Sequence, residues 1–292
     1  MQTSTSFSGL WIPLVTPFQN HAVDHAALKA LVQHLVSQGI AGLVVCGSTG
    51  EAAALDDNEQ LAVLDTVTDA APGLPLVMGV SGYHLPQMLD WVRTLNQRDL
   101  AGLLVPPPHY IRPSQAGLQA WFTAIADVSS HPIVVYDIPA RTGIALQLAT
   151  LRTLAQHPNI PAIKDCGGDV AKTQALIADR QYQVLAGDDA NIFSTLAQGG
   201  CGAIAASGHI HTTQLVQLMR WIQDGNLEQA QTAWHAWLPL IEALFAEPNP
   251  APVKALLAQQ GWIQPELRVP MTPASAVLAQ RLLSLAAAVQ DA

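Results

Sequence analysis

The segment Ile160-Pro161-Ala162-Ile163-Lys164-Asp165-Cys166 is a short apolar run that leads into a lysine. Such a run is typical of a strand whose two faces are both buried in a parallel sheet. Of the four lysines in the chain, only Lys164 follows directly from a run of this kind. Burial disfavours the charged ammonium, so the pattern predicts a lowered pKa and a neutral amine, the form that a Schiff-base nucleophile needs. The alternative is a lysine at an ordinary strand end, in water or paired with Asp165.

Seven similar apolar runs occur elsewhere, separated by segments with apolar residues at helical spacing. The eight predicted strands are Trp11–Thr16, Gly42–Gly47, Leu76–Val80, Gly102–Val105, Ile133–Ile138, Ala162–Asp165, Val184–Gly187 and Ala203–Ala206. The clearest helix is His25–Gln38, with Asp24 as its N-cap and Gly39 as its C-terminal stop. A doubly wound open sheet usually has fewer strands and a Gly-rich fingerprint after the first. Eight successive strand–helix units therefore predict an α/β fold, the closed (β/α)8 TIM barrel.

The chain becomes entirely helical after Gly208. The predicted helices are His211–Asp224, Leu227–Ala246, Pro252–Gln259 and Ala274–Val289. The first of them completes the barrel, and the others form a C-terminal helical extension. We therefore expect two domains, a catalytic barrel over residues 1–224 and a helical subdomain over residues 225–292.

The composition limits the partners that the chain can have. A net charge of −9 argues against nucleic acid or an anionic membrane surface as the main partner. No signal peptide is recognisable, and no apolar stretch approaches the roughly 18 residues of a membrane span. The three cysteines, Cys46, Cys166 and Cys201, form no CxxC pair, as expected for reduced core thiols. These features predict a soluble cytoplasmic protein, and the low charged fraction of 12% suggests burial between subunits.

Chemically competent side chains follow the predicted strands, at the barrel rim where reactive residues of such folds lie. The segment Gly47–Glu51 offers hydroxyls and backbone N–H groups that suit an anion, or it is a plain Gly-rich turn. Tyr136 can transfer protons if its phenol bonds a hydroxyl such as that of Ser48, or it is a core tyrosine with a wet tip. Arg141 suits bidentate recognition of a carboxylate, or it is a surface arginine.

Two histidine pairs have spacings that resemble metal-ligand patterns. They are His209-x-His211 and His21-x3-His25. Neither pair has a third cysteine, histidine or carboxylate at a diagnostic interval. We therefore predict no metal site.

Together these residues resemble the pyruvate-dependent class I aldolases of the dihydrodipicolinate synthase and N-acetylneuraminate lyase superfamily. The resemblance covers essentially the whole chain, and its motifs occur in the right order. They are Gly47–Glu51, Tyr136–Gly143, Ile163–Asp165, Gly187–Asp189 and Glu247–Lys254.

The resemblance implies a role for each of several residues. Lys164 would form a Schiff base with pyruvate, Tyr136 would transfer protons beside it, and Thr49 would hold the pyruvate carboxylate. Ser48 would link Tyr136 to Tyr110 of an adjacent subunit. Gly187 and the backbone of Ile204 would border the pocket. The family further implies a homotetramer and chemistry without a metal or an organic cofactor.

Within the superfamily, Arg141 in its Pro-Ala-Arg-Thr-Gly context looks like the synthases, where it binds the carboxylate of L-aspartate 4-semialdehyde. The resemblance thus implies condensation of pyruvate with that aldehyde to give 4-hydroxy-tetrahydrodipicolinate, a step of lysine and diaminopimelate biosynthesis. Ser48 stands where most synthases have threonine, Asp137 stands where asparagine is usual, and Ala206–His209 differs from the usual end of strand eight. A second aldolase activity, on a 2-keto-3-deoxy sugar acid or sialic acid, therefore stays open. A catalytically silent barrel that acts as a binding protein is the alternative of another class.

The resemblance also bears on regulation. Synthases inhibited by lysine typically carry asparagine, glutamate, tyrosine and histidine at a subunit-interface site. The corresponding residues here are Tyr83, Gln87, His109, Asp57 and Gln60. Because the glutamate and asparagine that would engage the ammonium groups are missing, we expect weak or no inhibition by lysine.

Overall fold

The computed structural model describes residues 6–290, and its eight parallel strands form a closed barrel. The strands are hydrogen-bonded neighbours in chain order around the barrel. They are β1 Gly9–Pro13, β2 Gly42–Val45, β3 Leu76–Gly79, β4 Gly102–Val105, β5 Ile133–Asp137, β6 Ala162–Asp165, β7 Gln183–Ala186 and β8 Gly202–Ile204. The predicted fold class is confirmed. The bounds of β4 and β6 match the prediction, but the eighth strand ends at Ile204, because Ala206–His209 turns into a 3₁₀ helix.

Helices follow the strands and continue to the end of the described chain. They are α1 His25–Val36, α2 Asp57–Ala70, α3 Leu85–Leu95, α4 Gln115–Val128, α5 Pro139–Thr142, α6 Leu148–Leu154, α7 Val170–Asp179, α8 Ile192–Ala197, α9 Thr212–Gln223, α10 Leu227–Leu244, α11 Ala251–Gln259 and α12 Ala276–Gln290. Phe18–Gln19 and Ala22–Val23 add a small antiparallel hairpin. Within the described residues, no helix has both the length and the apolar character needed to cross a membrane.

Helix α1 shows how local sequence sets the start and end of an element. The Asp24 carboxylate accepts a hydrogen bond from the Ala27 N–H group at 2.9 Å, which satisfies one of the free donors of the first turn. Leu28, Leu31 and Leu35 are fully buried along one face. Beyond the helix, Gly39 adopts a φ of +83°, which favours glycine. The predicted N-cap and the predicted stop are both confirmed.

The chain divides into two compact units. The first unit comprises Pro75–Ile204 with the described residues before Gly9, and the second comprises Gly9–Leu74 with the chain from Ala205 onward. The separate barrel and helical domains expected over residues 1–224 and 225–292 remain a prediction.

In the first unit, strands β5 and β6 carry two sets of side chains that alternate along each strand. Tyr136 lies opposite Lys164 in the register, and Asp137 lies opposite Asp165. Successive side chains of a strand point to opposite faces. The Asp137 carboxylate is fully buried, where it accepts hydrogen bonds from the Lys172 ammonium and from the Leu146 N–H group. This ion pair fastens the first turn of α7 to the strand that carries Tyr136.

We expect Lys172→Met to destabilise the protein by about 3–5 kcal/mol, because it leaves the Asp137 carboxylate buried without its cation. Burial already raises the pKa of this carboxyl group, and Lys172 opposes that shift. The measurement is the free energy of unfolding from denaturant titration. Lys29→Met, at an exposed helical position, is the matched control and should change stability by less than about 0.5 kcal/mol. The double variant Asp137→Asn/Lys172→Met should lose less than the single variant; an equal or larger loss would contradict the assignment.

Candidate active site

Lys164 and Tyr136 form a buried pair in the first unit. Lys164 is 5% exposed and Tyr136 is 7% exposed, and their Cα atoms are partners in the β5–β6 ladder. The Lys164 Nζ atom lies 4.4 Å from the centre of the Tyr136 ring. The Tyr136 side chain is close enough to the Lys164 ammonium to raise the pKa of Lys164. An amine and a phenol, the groups that the predicted nucleophile and proton carrier require, are therefore side by side in a buried environment.

The other buried lysines show what is unusual about Lys164. Lys172 pairs with the Asp137 carboxylate, and Lys254 pairs with the Glu51 carboxylate at 2.6 Å. Within the described part of the chain, Lys164 forms no ion pair with a carboxylate. A buried cation normally has such a partner, because desolvation costs several kcal/mol per ion. An amine that is buried without one is suited to chemistry rather than to structural support.

The predicted lowering of the Lys164 pKa is wrong. Burial of the amine lowers its pKa, but the neighbouring acidic groups of Tyr136, Cys166 and Asp189 together outweigh that effect. The pKa of Lys164 therefore lies above its ordinary value. Sequence reasoning found the burial and missed the acidic groups around it. In the resting site the amine is an ammonium that must lose its proton before it can attack.

Gly187 is packed against the stem of Lys164. A Cβ atom added at this position would lie 2.7 Å from Lys164 Cγ and 2.4 Å from Cys166 Sγ, which is closer than heavy atoms approach each other. The Gly187 N–H group donates to the Asp165 carbonyl at 2.9 Å, which holds the end of β7 beside β6. Burial raises the pKa of Cys166 to about 12, so this neighbouring thiol stays neutral. Because glycine has no side chain, position 187 leaves room for the stem of Lys164.

Two arginines line an open pocket in the same unit. Arg112, Arg141, Tyr110, Ala140, Thr142 and Gly143 surround a volume of about 440 Å³. Neither guanidinium forms an ion pair among the described residues. The pKa of His109 is lowered mainly by burial of its ring. The positive charge of Arg141 lowers it further. Tyr110 and Arg112 both adopt left-handed φ values, +70° and +52°, a backbone strain that clusters at functional sites. The pocket suits an anionic group.

In the second unit, the segment Gly47–Glu51 forms a tight turn after β2. The N–H groups of Gly50 and Glu51 bond within the turn. Ser48 is half-buried, whereas Thr49 is only 4% exposed. Within the described residues, the Thr49 N–H group has no acceptor. The turn therefore keeps a backbone donor available, as the anion-site interpretation requires.

The histidine pairs serve separate structural roles. The His209 ring is buried: its Nε2 atom accepts from the Val15 N–H group at 3.3 Å, and its Nδ1–H group donates to the Ala206 carbonyl at 2.9 Å. Burial lowers the pKa of His209 to about 4, so the ring is neutral. The His211 ring bonds the Ala286 carbonyl instead. No cluster of three or more potential ligands occurs among residues 6–290.

The structure thus brings several predicted site residues together and adds others. Lys164, Tyr136 and Gly187 are in contact or adjacent, Arg141 and Tyr110 share a pocket, and Ile204 ends β8. Ser48 and Thr49 lie in the other unit. Sequence reasoning gave no role to Arg112, which lines the pocket with Arg141, or to Asn249 and Lys254, which contact the Gly47–Glu51 turn. Arg112 follows Tyr110 by two residues, a signal that was available; the other two are distant in sequence from the turn they contact.

Comparisons with known proteins agree with this geometry. The model of the dihydrodipicolinate synthetase family matches residues 6–290. The 4-hydroxy-tetrahydrodipicolinate synthase 2 of Clostridium acetobutylicum is 36% identical over 278 residues, which cover 94% of this chain and 97% of that protein. The solved dihydrodipicolinate synthase of Thermotoga maritima has a TM-score of 0.94 at 30% identity, covering 97% of this chain and 99% of its own. The enzyme from Cyanidioschyzon merolae, solved with lysine bound, has a TM-score of 0.93 at 30% identity, with coverages of 97% and 98%.

We expect Gly187→Ala to lower the reactivity of Lys164 by about tenfold or more, because the added methyl group displaces the lysine stem and small misplacements are costly in catalysis. The measurement is the rate at which borohydride fixes a small ketone onto Lys164, followed by intact mass. The double variant Cys166→Ala/Gly187→Ala removes the closest clashing atom and should recover part of the rate. A wild-type rate in Gly187→Ala would show that the contact does not position the amine.

Proposed function

Because the chain belongs to the dihydrodipicolinate synthetase family, we propose that it is a Schiff-base lyase that condenses pyruvate with L-aspartate 4-semialdehyde to give 4-hydroxy-tetrahydrodipicolinate. The observation that carries the proposal is the burial of Lys164 beside Tyr136 without a carboxylate partner. That arrangement suits covalent chemistry on a carbonyl group. The product is a precursor of diaminopimelate and lysine, so the proposal places the enzyme in amino-acid biosynthesis.

In the proposed reaction, the neutral amine of Lys164 adds to the keto carbon of pyruvate. Loss of water from the adduct gives an imine, and the protonated imine draws electrons from the methyl group. Loss of a methyl proton then gives an enamine, whose carbon attacks the aldehyde carbon of the acceptor. The acceptor's amino group finally displaces Lys164 as the ring closes, which returns the free enzyme. The lysine itself is the electron sink, so the proposal requires no metal or organic cofactor.

Tyr136 is the proposed proton carrier at each stage. The raised pKa of Lys164 means that its ammonium must give up a proton before attack, and the Tyr136 ring lies beside it, 4.4 Å from Nζ to the ring centre. A phenol next to a cation transfers protons at a lower cost than an isolated one. We propose that Ser48 and Tyr110 extend this relay. Tyr110 is 95% exposed in the single chain, which leaves its phenol accessible to an adjacent subunit.

Substrate recognition is assigned to separate anion sites. We propose that Thr49 holds the pyruvate carboxylate, supported by its free N–H group in the Gly47–Glu51 turn. Arg141 is assigned to the carboxylate of the aldehyde, supported by the pocket with two guanidiniums and no acidic partner. Gly187 and the backbone of Ile204 border the substrate.

The proposal extends to assembly and location. We propose a homotetramer built from two dimers, in which Tyr110 completes the site of a neighbouring subunit. The support is the exposure of Tyr110 and Ile111 together with the low charged fraction of 12%. All three cysteines are unpaired, which fits the reducing conditions of the cytoplasm.

The second candidate is another pyruvate-dependent aldolase, which would cleave a 2-keto-3-deoxy sugar acid or N-acetylneuraminate. Ser48 is the observation that favours it, since serine is common at this position in such enzymes by the resemblance. Arg141 favours the synthase, because a guanidinium recognises a carboxylate on the aldehyde. A silent binding barrel would have no use for the buried, unpaired Lys164.

The test of the proposed function is intact mass after borohydride reduction in the presence of pyruvate. We expect a single pyruvyl adduct on the wild type and none on Lys164→Ala, because only a neutral lysine amine forms the imine. Since the pKa of Lys164 is raised, the rate of adduct formation should increase as the pH is raised through neutrality. Lys29→Ala is the matched control and should form the adduct like the wild type. A wild type without an adduct would eliminate the aldolase mechanism and leave the silent barrel.

The acceptor is tested on the enzyme that forms the adduct. Consumption of pyruvate with L-aspartate 4-semialdehyde should exceed that with sugar aldehydes, and Arg141→Gln should lower kcat/KM for the semialdehyde by about tenfold or more. A preference for sugar aldehydes in the wild type would instead establish the second candidate.

We predict weak or no inhibition by lysine. The relative from Cyanidioschyzon merolae was solved with lysine bound and serves as the positive control. In this chain, the corresponding positions include Gln87 and Asp57. None of them holds the glutamate or the asparagine that would engage the ammonium groups of lysine. The measurement is the initial rate with increasing lysine. Strong inhibition at millimolar lysine would contradict the prediction.

A further inference from the structure

The turn that carries Thr49 is held in place by a buried ion pair with the C-terminal part of the chain. The Lys254 ammonium donates to the Glu51 carboxylate at 2.6 Å, and the two side chains are 0% and 3% exposed. Lys254 also lies 4.4 Å from the centre of the Phe18 ring, a cation–π contact. Glu51 itself adopts a left-handed φ of +54°, and the ion pair fixes this strained end of the turn.

A second contact from the same C-terminal segment reaches Thr49 itself. The Asn249 side-chain amide donates from Nδ2 to Thr49 Oγ1 at 2.9 Å. The Oδ1 atom of the same amide is buried without a partner among the described residues. Within the described residues, the Asn249 amide is therefore engaged through Nδ2, by its bond to Thr49.

The direction of this bond determines what the Thr49 hydroxyl can do. A threonine hydroxyl has one hydrogen to donate, and its oxygen is here occupied as an acceptor. Its hydrogen is therefore directed away from Asn249. The N–H group of Thr49 has no acceptor among residues 6–290 either. Thr49 thus presents two donors and no competing acceptor, which is the arrangement that a carboxylate requires.

We propose that Asn249 is a positioning residue for the 2-oxo acid substrate, which sets the Thr49 hydroxyl as a donor to the substrate carboxylate. The inference rests on the proposed function, since it presupposes that Thr49 binds this carboxylate. It assigns the C-terminal segment a role in the first half of the reaction, the capture of the keto acid. Lys254 fixes the turn, and Asn249 sets the polarity of its hydroxyl.

The experiment compares two ketones, pyruvate and acetone, as substrates for borohydride trapping on Lys164. Acetone lacks the carboxylate, so its rate of trapping reports only on the reactivity of Lys164. Asn249→Ala should lower the rate of trapping with pyruvate by about tenfold, since a charge-assisted hydrogen bond loses its orientation, and should leave the rate with acetone unchanged. Asn249→Asp should lower the pyruvate rate further, because its carboxylate accepts the Thr49 hydrogen and repels the substrate carboxylate.

Matched variants separate positioning from general damage. Asn58→Ala, at an exposed helical position of the same unit, should trap both ketones like the wild type. Thr49→Val shows how far the rate of trapping with pyruvate falls when the hydroxyl is absent. The double variant Asn249→Ala/Thr49→Val should have the same pyruvate rate as Thr49→Val alone. An unchanged ratio of the pyruvate rate to the acetone rate in Asn249→Ala overturns the inference, including the case in which both rates fall together. A wild type that traps acetone but not pyruvate would instead remove the proposed function.

Discussion

The burial of Lys164 without a carboxylate partner is the constraint on which the site depends. A desolvated ammonium is costly, and the protein meets that cost at Lys172 and Lys254 with an ion pair for each. At Lys164 the ammonium is stabilised instead by the Tyr136 phenol, the Cys166 thiol and, at longer range, the Asp189 carboxylate. Within the described residues, these groups keep the ammonium in the buried site without a direct ion pair. The difference between the three lysines is therefore a difference in partner, since burial is common to all of them.

Strand geometry separates the reacting groups from the supporting ones. Lys164 and Tyr136 are partners in one ladder position, and Asp165 and Asp137 are partners in the next. Since successive side chains point to opposite faces, a shift of one residue in either strand would exchange the two pairs. The bond between Asp137 and Lys172 opposes such a shift from outside the reacting pair. Asp165 adds to it by accepting from the Thr173 hydroxyl at 2.5 Å. The fold thus stabilises the pairing of Lys164 with Tyr136 through charged groups on the opposite face of the two strands.

Much of the fold could be predicted from the sequence, because its signals are local. Continuous apolar runs located all eight strands, and Asp24 and Gly39 marked the limits of the first helix correctly. Lys164 was recognisable from its place after such a run. The pairs Asn249–Thr49 and Lys254–Glu51 could not be found in this way, because 200 and 203 residues separate their members. No periodicity links residues at that distance, and a lysine in a Pro-rich segment reads as exposed. The raised pKa of Lys164 was missed because it depends on side chains from other elements, Tyr136 on β5 and Asp189 in the turn after β7.

The structure also changes the weight of one sequence feature in the choice of substrate. Asp137 stands where the related synthases usually have asparagine, which by itself would suggest a different acceptor. Its carboxylate is fully buried and bonded to Lys172 and to the Leu146 N–H group, with no part left to meet a ligand. The substitution of a neutral amide by a carboxylate is thus matched by a lysine on α7 and concerns the packing behind β5. Of the two remaining departures, Ala206–His209 and Ser48, only Ser48 changes a predicted site residue. Serine keeps the hydroxyl group of threonine and lacks its methyl group. The substitution therefore changes the volume of the side chain and leaves the chemistry of the hydroxyl unchanged.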